Sequence, residues 1–444
     1  FKKPLSSSKD RQARSRGSQV RTYRLAVATT GEYGAYHGGT TEEALSAVVR
    51  TINRVDGVFR VELSVGLQLI DNNDVIVYTD PDTDPFEGND NSNLLIDESQ
   101  SVITDNIGSE NFDLGHTFST GAGGVATLRS PCDDNSKASG VTGLSSPKGD
   151  SYDIDYVAHE LGHQMGMHHT FNGVGGTCSD NRSTQAAFEP GAGSTIMSYA
   201  GNCGTDNIQD RSDAIFHSYS FEQAADFLES GGGANCGTVE SSGNVAPSVE
   251  AGPNYTVPAE TALVLDGSGS DSDGDSLTYL WEQRDLGTAG PVSAPDDGSI
   301  PLFRVFTPVS SAKRYLPKLE TVVSGELDYS EKIPVKSRTM DFALTARDDR
   351  GGVTSDTMQV EVVAAPLVGK PFSLAEPNEG GESLGSMGTV RWNVAETDSA
   401  PVSAAQVELY LSTNGGVTFS NTPFATTAND GYARVSFPSG VQTN

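Results

Sequence analysis

The apolar positions of this chain change period along its length, and the changes outline its elements. Tyr23-Arg24-Leu25-Ala26-Val27-Ala28 reads as a strand. Thr41 to Val58 reads as a helix, because Ala44, Val48, Val49 and Ile52 repeat at helical spacing, and Val61 to Ile70 alternates like a second strand. A strand, a helix and a strand in that order suggest an α/β unit. Asn111 to Leu128 is Gly-rich with short apolar pieces and suits an edge strand bordering a cleft; Tyr152 to Met165 and Phe221 to Leu228 are further helix candidates. After Gly231-Gly232-Gly233 and Ser241-Ser242-Gly243 the helical period disappears, and short Val-, Leu- and Thr-rich runs alternate with Gly, Asp, Asn and Pro turns.

The resulting expectation is a multidomain protein: a basic N-terminal arm or pro-segment remnant over 1–19, an α/β (α+β) domain over 20–238, a linker over 239–246, and two all-β immunoglobulin-like sandwiches over 247–365 and 366–444. A prior of roughly one domain per 150 residues agrees with about three folded units. In the arm, Lys2, Lys3, Lys9, Arg11, Arg14 and Arg16 face Asp10 alone, so it reads as flexible and open to proteolysis near Arg14 to Arg16.

Charge narrows the partners. A formal net charge of -30 argues against nucleic acid or an anionic membrane, since phosphate recognition needs a positive surface. No apolar run approaches the roughly 20 residues of a membrane helix. The acidic surface reads as solvated, and such a surface can also hold calcium. Cys132, Cys178, Cys203 and Cys236 all precede residue 240 and lack C-x-x-C spacing, which favours two disulfides in an oxidising compartment and an extracellular setting. The chain begins at Phe1 without an initiator Met, which reads as a processed product.

Chemistry concentrates in Val157-Ala158-His159-Glu160-Leu161-Gly162-His163-Gln164-Met165-Gly166-Met167-His168-His169. Residues four apart share a helix face, so His159 and His163 can offer two imidazoles to one zinc ion with Glu160 beside them. Glu160 is placed to take a proton from water and give it to a leaving amine, while the metal polarises a carbonyl. Gly166 can take positive φ and end the helix, allowing the chain to bring His169 back to the same ion. The full H-E-x-x-H-x-x-G-x-x-H pattern arises by chance on the order of once in 10^5 chains of this composition. His168 is the neighbouring competitor for third ligand. His37, His116 and His217 are isolated in sequence and read as solvated or hydrogen-bonded surface groups.

This long motif resembles that of the metzincin zinc endopeptidases. The resemblance selects His169 over His168 and predicts a Met-containing turn beneath the metal, which Thr195-Ile196-Met197-Ser198-Tyr199 supplies. It implies that Met197 floors the zinc site. Tyr199 matches a position used in some members as an extra ligand or transition-state donor; a core tyrosine at a strand end is the plainer alternative. Through Asp153-Ile154-Asp155-Tyr156 and Gly115-His116-Thr117-Phe118, the region from Arg21 to Cys236 is similar to bacterial reprolysin-like (adamalysin-related) enzymes. The resemblance implies a secreted endopeptidase, substrate backbone bound along Gly121 to Leu128, and the pairings Cys132 with Cys236 and Cys178 with Cys203. Thr170 departs from the Asp usual in reprolysins. An adhesin with a vestigial zinc site is the competing class, and the intact Glu160 weighs against it.

Behind this region, Asp266-Gly267-Ser268-Gly269-Ser270-Asp271-Ser272-Asp273-Gly274-Asp275 followed by Leu277-Thr278-Tyr279-Leu280-Trp281 resembles the start of a polycystic-kidney-disease-like (PKD) sandwich, with an insertion between Pro291 and Lys336. Asp271, Asp273 and Asp275 are candidate calcium ligands, set against a solvated acidic turn. Val390-Arg391-Trp392-Asn393-Val394 and Val407-Glu408-Leu409-Tyr410-Leu411 look like a fibronectin type III module. Both sandwiches read as spacers and stabilisers, with contact to a matrix or cell surface as the alternative.

Overall fold

The structure, a computed structural model, describes residues 14–121, 123–363, 371–378 and 386–438. Lys2 to Asp10 and Arg11 of the basic arm, and Pro366 at the expected second boundary, lie outside the described residues.

Helix α2 (Thr41–Leu63) begins at Thr40, whose hydroxyl accepts the Glu43 backbone N–H at 3.3 Å and donates to the Glu43 carboxylate at 2.9 Å. Its stripe of Ala44, Val48, Ile52, Val55, Phe59 and Leu63 is buried, at roughly 1.5–3 kcal/mol for each large side chain taken out of water. The stripe continues past Val58, so the helix absorbs the start of the expected Val61 to Ile70 strand. Ser64, at φ 53°, turns the chain, and β3 occupies only Val65–Leu69.

β3 joins a sheet whose order is β3, β2 (Gln19–Thr29), β4 (Leu114–Ser119), β6 (Gly140–Gly143) and β5 (Gly124–Ala126). The first four strands run parallel, and β5 is an antiparallel edge. The Asn111 to Leu128 stretch is thus two strands. β4 lies inside the sheet and is buried throughout, while β5 borders the cleft. The sequence pattern did not show helix α3 (Ser92–Ile107), because its buried stripe of Leu95, Ser99, Ile103 and Ile107 contains a serine. Ser99 bonds to the Ala138 carbonyl at 2.7 Å, which satisfies it inside the core.

The strand-rich region is joined to this unit through buried contacts. Arg14–Arg16, expected in a flexible arm, instead forms strand β1, antiparallel to Val353–Ser355 at the edge of the main downstream sheet. That sheet runs β1, β15 (Val353–Val363), β14 (Arg338–Arg347), β12 (Thr278–Gln283), with β9 (Tyr255–Pro258) parallel to β15. Arg347 reaches across to Glu62 near the end of α2, with bonds of 2.7 and 2.8 Å; both side chains are buried. Arg284 makes a two-point bond to Glu222 in α6 (Ser218–Ser230) at 3.0 and 2.8 Å. A smaller strand cluster follows within Ser373–Ser436, in which Met387–Asn393 pairs antiparallel with Ser373–Glu376 and Tyr432–Ser436 around buried Val390, Trp392, Ala433 and Val435. Among the described residues, no helix is long and apolar enough to cross a membrane.

Candidate metal centre

The site rests on one helical run in three pieces: α4 (Asp150–Tyr152), a π-helical stretch (Asp153–Ala158) and α5 (His159–Gln164). Its widened part is anchored on both sides. Asp153 accepts the Thr51 hydroxyl of α2 at 2.8 Å, and Asp155 accepts the Ser212 N–H at 2.9 Å and Arg211 at 3.1 Å. Gln164 ties the end of the run to the sheet, bonding to the Gly115 carbonyl, Ser130 and His116. His116 is therefore no surface group. It is fully buried between Gln164 and Thr142, each at 2.9 Å. His217 is also buried, accepting the Tyr219 N–H at the start of α6. His37 keeps a partly buried position against the Pro147 carbonyl.

The helical run ends where the sequence placed its break. Gly166 has φ 93°, and a Cβ there would stand 2.9 Å from Arg129 Cγ. Past this turn His169 returns to the other two histidines. The His163 and His169 Nε2 atoms are 2.9 Å apart, and those of His169 and His159 are 3.1 Å apart. Each Nδ1 faces a backbone carbonyl: Ile196 at 2.7 Å for His159, Met167 at 2.8 Å for His163 and Asn181 at 2.6 Å for His169. A carbonyl only accepts, so all three Nδ1 atoms carry the proton and all three Nε2 lone pairs point at one another. Lone pairs at that separation repel unless a cation lies among them. A tetrahedral ion with metal–nitrogen bonds of about 2.0–2.1 Å has nitrogen–nitrogen edges of about 3.4 Å, so the donor set fits zinc. Burial pushes the imidazoles down, to about 3 for His159 and about 4 for His169, which keeps them neutral and able to ligate. His168 points elsewhere, to Gln185 at 2.7 Å.

Glu160 is buried beside the trio, and its Oε2 has no hydrogen-bond partner. Burial pushes its carboxyl up to about 8; a divalent cation at the adjoining nitrogens acts in the opposite direction. Edge strand β5 crosses directly over this carboxylate. A Cβ on Gly124 would stand 2.1 Å from Glu160 Oε1, so glycine is the residue that leaves this carboxylate its room.

The turn at Thr195 to Tyr199 lies beneath. Met197 is fully buried, and its sulfur sits where a Cβ on Gly162, between the two helical histidines, would be 2.5 Å away. The Ile196 carbonyl orients His159, and the Met197 carbonyl accepts the Thr170 N–H at 3.0 Å. The Tyr199 ring packs on His169 at 4.6 Å between centroids and on Phe171 at 4.7 Å.

Sequence reasoning did not find Glu189. Fully buried, it accepts the hydroxyls of Thr170 at 2.6 Å and Thr195 at 2.5 Å and the Ser194 N–H at 2.7 Å, joining the segment after His169 to the turn below. Nothing in its local sequence marks it.

Residues 19–226 match the family model Metallo-peptidase family M12B Reprolysin-like. The match spans a little under half of the chain and contains all three histidines, Glu160 and Met197. The match supports a zinc-dependent peptidase domain over this segment, and the histidine cluster fits a zinc site. Comparison with curated proteins returns no match. A solved structure of the Bacteroides ovatus mixed-linkage glucan utilization locus protein SGBP-B, in complex with a mixed-linkage heptasaccharide, is similar at 16% identity over 45% of this chain and 42% of its own, with a TM-score of 0.14. The chain thus spans less than half of that protein's length, and the likeness carries no argument about function. Cys178 to Cys203 lies within the matched residues, and Cys132 is joined to Cys236, ten residues beyond their end.

Asp271, Asp273 and Asp275 also bring ligand atoms within 4.8 Å of one another. Several of their oxygens already serve the protein, although Asp271 Oδ2 is buried without a hydrogen-bond partner. Asp271 accepts the N–H groups of Asp273 and Asp275, Asp273 accepts that of Val245, and Asp275 pairs with Arg350 at 2.8 Å.

Proposed function

We propose that the chain is a secreted endopeptidase that cleaves protein substrates with zinc held by His159, His163 and His169. The observation that carries this reading is the convergence of three Nε2 lone pairs whose companion Nδ1 protons are all committed to carbonyls. Zinc bound there supplies Lewis acidity toward the scissile carbonyl and toward water. Glu160 takes the proton of the attacking water at its unpartnered Oε2 and passes it to the leaving amine. The exposed side of β5 pairs with the substrate backbone as a further antiparallel strand, which favours extended peptides. Met197 closes the site from below. Tyr199, packed edge-on against His169, supplies a hydroxyl toward the same cleft as a transition-state donor. Two disulfides support an oxidising, extracellular setting.

The test is hydrolysis of casein by wild type and by Glu160→Gln, each with and without a zinc chelator. Wild type should lose activity on chelation and regain it with zinc. Glu160→Gln should keep its zinc and lose on the order of 10^2- to 10^4-fold in kcat/KM. Equal activity of the two proteins would remove Glu160 from the mechanism.

A further inference from the structure

The three ligands are not held alike. His159 and His163 ride one helix, and their Nδ1 atoms donate to carbonyls of buried residues, Ile196 and Met167. His169 lies beyond the helix end, and its Nδ1 donates to Asn181, on an exposed loop. An imidazole is only as well aimed as the group that receives its second N–H. The position of His169 therefore depends on what fixes the Asn181 carbonyl.

On its N-terminal side that loop is held by the Cys178 to Cys203 disulfide and by local bonds of Asn181 to the Cys178 and Thr177 carbonyls. On its C-terminal side the next residue, Arg182, forks onto Asn172 Oδ1 at 3.1 and 2.8 Å and donates to the Gly287 carbonyl at 2.8 Å. Buried Asn172 in turn donates to the Thr288 carbonyl at 3.0 Å. Gly287 and Thr288 belong to the strand-rich region, outside the reprolysin-like match. Their backbone is not free to drift: a Cβ on Gly287 would stand 2.4 Å from the Ser299 carbonyl oxygen and 2.6 Å from Ile300 Cα.

From this chain of contacts we infer that Arg182 is a positioning residue for the third metal ligand, through which the strand-rich region aims His169 at the zinc. The inference rests on the zinc reading above. It gives the region after the peptidase domain a part in the metal centre that a spacer does not have.

The experiment uses the full chain and reads the metal directly. Zinc dissociation constants are measured by competition with a chromophoric chelator, and visible spectra are recorded after cobalt(II) substitution. Arg182→Ala should weaken zinc binding on the order of 10- to 100-fold, as loss of a group orienting a ligand does, and should alter the cobalt bands. Arg182→Lys, which keeps the charge but loses the fork, should fall between it and wild type, and decides the matter if the alanine variant does not fold. Arg304→Ala is the control, since it removes a different contact between the same regions, the 3.3 Å bond to the Ile208 carbonyl; it should leave zinc affinity within about twofold. Equal weakening by Arg304→Ala would reduce the effect to general loosening and overturn the inference. Unchanged affinity and bands in the Arg182 variants would overturn it while leaving the zinc reading intact. A wild type that holds no zinc would sink both.

Discussion

Besides His217, four buried or largely buried histidines lie within the reprolysin-like match, in two arrangements linked through Gln164, which follows His163 and bonds to His116. His116 has a protein partner on each nitrogen, Gln164 and Thr142. His159, His163 and His169 each have one such partner, and on the other side only each other. The first arrangement is complete and needs nothing further. The second is complete only with a cation among the lone pairs. Burial and convergence do not by themselves separate a binding site from a structural node; the count of satisfied donors and acceptors does. Glu62 and Arg347 lie nearer the first kind, since each charge meets its counterpart, although Arg347 Nη1 is buried without a partner; the Asp271 trio stands between the two extremes.

The contrast can be tested on the clusters whose charged groups have protein partners, beginning with the largest effect. Arg347→Met removes one partner and leaves the Glu62 carboxylate buried and unpaired, which should cost about 3–5 kcal/mol in urea unfolding. A loss below about 1 kcal/mol would mean that Glu62 gains access to water and the cluster is not closed.

His116 is next. Its folded-state value is depressed by burial to about 4 from 6.5, so its contribution to stability is present above about 6.5 and is lost as the pH falls toward 4. The linkage amounts to about 3 kcal/mol across that window. Wild type should therefore lose more stability between pH 7 and pH 4 than His116→Gln, with both measured free of metal so that the ligand histidines contribute equally. Parallel pH profiles would show that His116 takes up its proton without disturbing the fold.

The smallest effect belongs to the aspartates. Asp273 is exposed and accepts the Val245 N–H, so Asp273→Asn should change stability by no more than about 0.5 kcal/mol, with or without calcium. A melting temperature that climbs steeply with calcium in wild type, and not in the variant, would move this trio to the open class.

How much of this was legible in the sequence depends on range. The helical histidine pair follows from a pitch of four residues, the return of His169 from the freedom of Gly166, and both readings need only neighbours in the chain. Strands β2 and β3 and helix α2 were visible through the period of their apolar residues, although the stripe ending at Leu63 displaced one boundary, β6 was too short to show a period, and the serine within the α3 stripe concealed a helix. His116 was misread because a lone polar residue in a strand looks the same whether it faces water or a buried partner 48 residues away.

The amino-acid sequence alone determined which side chains stand at metal-ligand spacing, that Glu160 lies beside them, and that helices give way to strands after about residue 240. These are properties of spacing and composition. Only the tertiary structure decided that Glu62 meets Arg347 across 285 residues and that Arg182 reaches Gly287 across 105. It also decided that a glycine on the edge strand clears space for Glu160. No local period encodes such meetings, because they arise when separately patterned surfaces are packed together and each buried polar group must find its partner wherever the fold provides one.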